Sequence, residues 1–258
     1  MVLKETPIKK KSIGVIPTRW ASTRFPGKIL TPLCKKPLIQ WVVERVQQAT
    51  FLDQLLVATD DERIKTVVED LGVDVVLTRS DHPSGTDRIA EAISEYDAEI
   101  VVNIQGDEPL INPNLIDQVA AVISENHSWD MATATAPIDR EQDLHDPSVV
   151  KVVCDQDLRV LYFSRAPIPF SREKELSLSV SSMYWRHIGI YGYKRSFLEK
   201  LVKIPPCTTE KIEKLEQLRA LHIGAHIRMI KTEEVSLGVD TPEDVQRVEA
   251  ILRIENGF

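Results

Sequence analysis

The chain alternates short runs of Val, Ile and Leu with longer stretches in which apolar positions recur every three to four residues. The runs at 12–17, 54–59, 73–77, 99–104 and 130–135 read as strands, and 37–49, 61–71, 86–96 and 113–125 between them carry helical spacing. Asn112-Pro113 adds an N-cap followed by proline at the first helical position. Strand and helix in repetition predict right-handed crossovers. The expected fold class is therefore α/β, a Rossmann-like, mostly parallel sheet flanked by helices. Such a sheet binds ligands at the carboxyl ends of its strands.

The pattern changes after about residue 140. Stretches 149–154 and 159–164 flank Asp155-Gln156-Asp157-Leu158 and predict a β-hairpin with a short loop. A strand over 186–193, helices over 196–203 and 209–221, a strand over 227–231 and a helix from Thr241 complete the reading. With no internal repeat or low-complexity linker, residues 1–258 read as a single domain. Region 140–195 reads as an insertion suited to a lid or to homodimer formation. Residues 1–11, with Lys4, Lys9, Lys10 and Lys11, read as a basic, flexible, solvated tail. The apolar stretch after them is too short for a signal core or a membrane span, so no stable membrane association is expected.

Composition narrows the function. Across 258 residues, 43% are hydrophobic and 28% charged, as in ordinary soluble proteins. The 32 Lys and Arg against 39 Asp and Glu leave a net charge of −7, which excludes the broad basic face that nucleic acid requires. Any anion site must be local. Three dispersed cysteines offer neither a disulfide framework nor a zinc set and suit a reducing, cytoplasmic setting. His222 and His226 lie four apart, but Gly224 between them predicts a helix stop, so one helix face does not carry both.

The chemistry concentrates in the connection after the first strand, TRWASTRFPGKILTPLCKK, residues 18–36. It is far longer than the roughly 2–6 residues usual for such a loop. It holds five basic residues and no acidic one. Arg19, Arg24 and Lys28, with the hydroxyls of Ser22 and Thr23 and close backbone approach at Gly27, suggest a polyphosphate cradle. Neither G-x-x-x-x-G-K-[ST] nor G-x-G-x-x-G occurs, so a P-loop NTPase and a dinucleotide dehydrogenase are disfavoured.

The segment from Ile16 to Lys28 resembles the signature loop of the sugar-acid cytidylyltransferases, in particular those that activate 3-deoxy-manno-octulosonate (Kdo). The resemblance continues through TRSDHPSGT at 78–86, NIQGDEP at 103–109, LYFSRA at 161–166, RHIGIYGY at 186–193, LEQLR at 215–219 and GVDTPED at 238–244. It implies that CTP and Kdo react to CMP-Kdo and diphosphate for lipopolysaccharide assembly, with Mg²⁺ as cofactor and a homodimer as the assembly. By the same resemblance Asp107 and Asp240 are metal ligands, and Lys28, Asp107 and Asp240 the catalytic set. Ser22, Arg24, Lys28, Arg79, Ser84 and the Gly106 segment match the CTP site, beside Arg19. Gln105, Arg165, His187, Tyr191, Glu216 and Gln217 match the sugar site. The alternatives are a related sugar acid, 8-amino-Kdo or a sialic acid, or a non-catalytic nucleotide-binding regulator.

Overall fold

Strand β1 (Ser12–Pro17) forms where five successive residues are buried, and it becomes an interior strand of the sheet. The computed structural model describes residues 11–21, 25–126, 128–172, 184–233 and 237–257. The basic tail therefore lies outside the described residues except Lys11, whose ammonium pairs with Asp97. After β1, a 3₁₀ turn (Lys28–Leu30) and a two-strand ribbon, β2 (Pro32–Leu33) and β3 (Lys36–Pro37), lead into α1 (Leu38–Val46). β4 (Gln54–Thr59), α2 (Glu62–Asp70), β5 (Asp74–Leu77), α3 (Gly85–Ala92), β6 (Ile100–Asn103), α4 (Pro113–Glu125) and β7 (Met131–Pro137) continue the alternation. Every strand expected in this half is present, and helix ends are set by side chains. Asn112 accepts from Asn114 N at 2.8 Å to start α4, and Ser84 accepts from Asp87 N at 3.2 Å to start α3.

The second half holds α5 (Glu141–His145), β8 (Lys151–Cys154), β9 (Val160–Ser164), β10 (Trp185–Lys194), α6 (Arg195–Leu201), α7 (Thr208–Glu213), α8 (Gln217–His222), β11 (Ile227–Lys231) and α9 (Pro242–Asn256). β8 and β9 pair antiparallel as the hairpin predicted, and β8 also joins β10. The main sheet runs β11-β7-β10-β6-β1-β4-β5. β1 lies parallel to β4 and β6, as does β4 to β5 and β11 to β7. β10 runs against both of its sheet neighbours, β6 and β7. Helix layers cover both faces, and the buried apolar side chains form two large clusters and a small one of Ile138, Leu144, Val149 and Tyr184.

One expected element is corrected. The helix predicted over 209–221 is two helices, broken at Lys214, which adopts a left-handed φ of 55°. Arg165 holds the break. Its guanidinium donates to the carbonyl oxygens of Glu213 at 2.7 Å and Lys214 at 3.3 Å, and to that of Pro147 at 2.8 Å. A cation on the last carbonyls of a helix satisfies acceptors the helix cannot. The helical period continues across the break because Leu215 and Leu218 both stay buried, and periodicity alone could not reveal it. Gly224, with φ 82°, ends α8 as anticipated.

Candidate active site

The segments that follow the carboxyl ends of β1, β5 and β6 open on one cleft of about 310 Å³. Pro17, Thr18 and Arg19 contribute from β1 and the loop after it, His82 to Gly85 from the loop after β5, and Gln105, Gly106 and Asp107 from the turn after β6. Asp240 reaches the same cleft from just before α9. Gly106 is required here. A Cβ on it would stand 2.7 Å from Thr18 Cγ2 and 3.2 Å from Pro17 O, so any other residue pushes the turn off the end of β1.

Lys28 is placed at the centre. Its ammonium lies 2.5 Å from Asp107 Oδ2 and 3.1 Å from Asp240 Oδ1, and donates to Val239 O at 3.0 Å. Burial works to lower its pKa, but the two carboxylates outweigh that and raise it above the ordinary lysine value. Two aspartates from distant parts of the sequence are thereby drawn to one point. The backbone helps, since Val239 N donates to Asp107 O at 2.8 Å.

The loop that carries Lys28 is clamped at its start. Gly27, at φ 70°, allows the chain to lie against the Trp20 ring, where a Cβ would approach within 2.9 Å. The other support of that ring is the Arg63 guanidinium, 3.3 Å from its centroid and itself paired with Asp61 at 2.6 Å. Trp20 N donates to Asp60, whose other oxygen takes the buried Arg88 at 2.8 Å. Ser22 and Arg24 lie outside the described residues.

A second, smaller cleft of about 170 Å³ adjoins the first and shares Gly85 and Gln105 with it. Tyr191, Glu216 and Gln217 line it, as the motif match implies, together with Thr86, Asn103 and Tyr193. Breaking the helix at Lys214 is what brings Glu216 and Gln217 to the start of α8 and into this wall. Burial raises the pKa of Glu216, against hydrogen bonds from Thr86 and Ser84 and the charge of Arg219. Ser84 Oγ donates to Glu216 Oε1 at 3.1 Å, so one hydroxyl joins the two clefts.

Three residues expected at the site sit apart from both clefts. Arg165 spends its guanidinium on the carbonyls at the end of α7. The His187 ring is packed between Phe163 and Tyr191, at 5.0 and 5.4 Å, with Nε2 2.9 Å from Thr133 Oγ1. Burial pushes its pKa down to about 3. The Arg79 side chain, 68% exposed, faces Asp81 and Glu91 outside the cleft. Conversely Tyr193, Thr86, Asn103 and Arg88 line the clefts unannounced. Tyr193 had a signal available, since it shares a strand face with Tyr191 two residues earlier.

A family model described as cytidylyltransferase matches residues 13–230. The 3-deoxy-manno-octulosonate cytidylyltransferase of Syntrophotalea carbinolica is 50% identical over 93% of this chain and 98% of its own length. That of Bdellovibrio bacteriovorus is 48% identical over 94% and 98%. This chain belongs to the 3-deoxy-manno-octulosonate cytidylyltransferase family. A solved structure described as CMP:2-keto-3-deoxy-manno-octonic acid synthetase complexed with CTP superposes with a TM-score of 0.89 at 38% identity, over 95% of this chain and 99% of that one. As a cytidylyltransferase the chain is an enzyme of nucleotidyl transfer. No helix among the described residues is long and apolar enough to cross a membrane.

Proposed function

We propose that the protein transfers the cytidylyl group of CTP to Kdo, giving CMP-Kdo and diphosphate for lipopolysaccharide assembly. The observation that carries this reading is the Lys28 ammonium held between Asp107 and Asp240, in the cleft lined by the loops after β1, β5 and β6. CTP belongs in the larger cleft with its phosphates towards Lys28 and Arg19, and the sugar acid in the smaller one. The anomeric hydroxyl of Kdo then attacks the α-phosphorus while diphosphate leaves on the opposite side. Lys28 neutralises the charge that builds on the leaving group, and the loops around Gly106 and Ser84 hold the triphosphate in line. Tyr191, Gln217 and Glu216 orient the sugar. Ser22, Arg24 and Arg79 belong to the nucleotide side of the proposal, and Arg165 and His187 to the sugar side. The last two act by shaping its walls, through the end of α7 and the packing on Tyr191.

The donor set fits Mg²⁺. Two carboxylates converge on a position already held by a cation, the Lys28 ammonium, and hard oxygen ligands supplemented by substrate phosphates are what this ion takes. Asp107 and Asp240 would hold it, and it would supply charge neutralisation to the transferring phosphoryl group. A homodimer is supported by apolar side chains left uncovered around the hairpin, Leu161 on β9 and the nearby Phe170, at 57% and 86% exposure. Three free cysteines among the described residues suit the cytoplasm. The test is diphosphate release with each of the four NTPs against Kdo, 8-amino-Kdo and N-acetylneuraminate. Turnover confined to CTP with Kdo is expected, and its absence refutes the reading.

A further inference from the structure

Trp20 lines neither cleft, yet its backbone and its ring are both engaged around the turn that carries Lys28. Its N–H donates to Asp60 Oδ1 at 3.3 Å, and its carbonyl oxygen accepts from Gly27 N at 3.2 Å. The second bond closes the chain on itself one residue before Lys28. Gly27, at φ 70°, lies against the six-membered half of the indole, where a Cβ would stand 2.9 Å from Cη2 and 3.0 Å from Cζ2. Leu30 N then donates to Gly27 O at 3.0 Å and Thr31 N to Lys28 O at 3.0 Å, so the 3₁₀ turn grows directly from the residue that rests on the ring. The reach of Lys28 to Asp107 and Asp240 therefore starts from backbone that Trp20 locates.

The ring is held in turn from α2, outside the cleft. The Arg63 guanidinium lies 3.3 Å from its centroid. Asp61 caps α2 by accepting from Arg63 N at 2.9 Å, and the same carboxylate takes Arg63 Nε at 2.8 Å and a terminal guanidinium nitrogen at 2.6 Å. Two parallel contacts fix the plane of a guanidinium as well as its distance. The Arg63 side chain is 56% exposed, and an ion pair so placed adds little to global stability. What it does fix is the place of the loop. Residues 18–36 carry five basic residues and no acidic one, and like charges cannot order one another, so the turn needs an anchor beyond its own sequence. We propose that Trp20 and Arg63 are positioning residues for the transfer reaction, the guanidinium holding the Trp20 ring and the ring holding the Gly27–Lys28 turn where the ammonium meets Asp107 and Asp240. This inference rests on the reading that Lys28 acts on the phosphates of CTP. The competing anchor is Ile29, buried in the core beside Lys28, which would place the turn without Trp20.

The test reads kcat and KM for diphosphate release with CTP and Kdo, beside the reactivity of Lys28 in the unliganded protein. Trp20→Ala should lower kcat about tenfold or more while KM for CTP changes by less than about threefold. Trp20→Phe, which keeps an aromatic face, should return kcat to within about threefold of wild type. Arg63→Ala should lower kcat by about two- to fivefold, and the double variant should lose no more than Trp20→Ala alone, because the guanidinium acts through the ring. A brief pulse of acetic anhydride, read by mass spectrometry, reports on placement without turnover. Acetylation of Lys28 relative to Lys200, exposed on α6, should rise about threefold or more in Trp20→Ala and stay at the wild-type level in Trp20→Phe. A Trp20→Ala kcat within about twofold of wild type overturns the proposal, as does a loss carried by KM alone. Losses that multiply in the double variant overturn the part given to Arg63. Should Trp20→Ala fail to fold, Arg63→Ala decides, and an unchanged kcat with unchanged Lys28 acetylation overturns the proposal. A wild type that does not turn over CTP refutes the functional reading and this inference with it, whereas an active wild type whose Trp20→Ala variant keeps its kcat and its Lys28 acetylation refutes this inference alone.

Discussion

Replacing Lys28 with Met removes one ammonium and keeps most of the stem. In the unliganded protein that ammonium spans Asp107 at 2.5 Å and Asp240 at 3.1 Å, on a side chain 13% exposed. The contact with Asp107 is a charge-assisted hydrogen bond of a mostly buried pair, worth about 1.5–3 kcal/mol. The contact with Asp240, whose side chain is half exposed, adds less than about 1 kcal/mol after solvent screening. The unfolding free energy should therefore fall by about 2–4 kcal/mol, or roughly 4–12 °C in Tm for a chain of this size. Catalysis should suffer comparably or more, because a cation aimed at developing phosphate charge is worth about 10²- to 10³-fold in kcat. Diphosphate release with CTP and Kdo, run beside a thermal melt, measures both. An activity loss below about fivefold, or ~1 kcal/mol, refutes the role of Lys28 on the phosphates. An unchanged Tm refutes the strength given to the ion pair.

Asp107→Asn and Asp240→Asn should each abolish diphosphate release while the melt stays cooperative, and full activity in either removes that carboxylate from the proposed metal set. Gly106→Ala places a Cβ 2.7 Å from Thr18 and 3.2 Å from a backbone oxygen, so it should cost about 1–3 kcal/mol of stability and raise KM for CTP; an unaltered melt contradicts the packing argument. His187 predicts acid sensitivity. With its folded pKa near 3, below the unfolded value, the unfolded chain binds a proton that the folded one refuses, and stability falls as pH drops from about 6.5 towards 3. The loss at pH 5 should be roughly 1–2 kcal/mol and be missing from His187→Asn. Identical acid slopes in the two proteins would exclude His187 as the source.

Residues that repeat with a strict period were legible before the structure. The alternating apolar runs located the strands of the parallel half, and Asn112-Pro113 and Thr241-Pro242 marked helix starts because their side chains act within a turn of their own position. The partnership of Lys28 with Asp107 and Asp240 was legible only through motif resemblance, since 79 and 212 residues separate the partners. What no local pattern could supply was the destination of long side chains. Arg165 looked suited to an anionic sugar, but three carbonyl oxygens compete for its donors and win. Arg88, on α3, is likewise drawn into the cleft lining by Asp60 and Thr78. The burial of His82 Nδ1 with no hydrogen-bond partner among the described residues is also a property of packing, invisible in a run of letters.

Strand β10 has a consequence in time as well as in space. Among the described strands it alone joins β6 to β7, and it belongs to residues 185–194. The sheet β6-β1-β4-β5 can close as soon as residue 103 has left the ribosome, whereas among the described strands β7 has no partner until β10 arrives, which begins about fifty residues later. Synthesis thus delivers the loops of the larger cleft first, the walls of the smaller cleft second and Asp240 last. A chain stopped short of β10 would hold Lys28 and Asp107 but neither Asp240 nor the Tyr191, Glu216 and Gln217 wall of the smaller cleft.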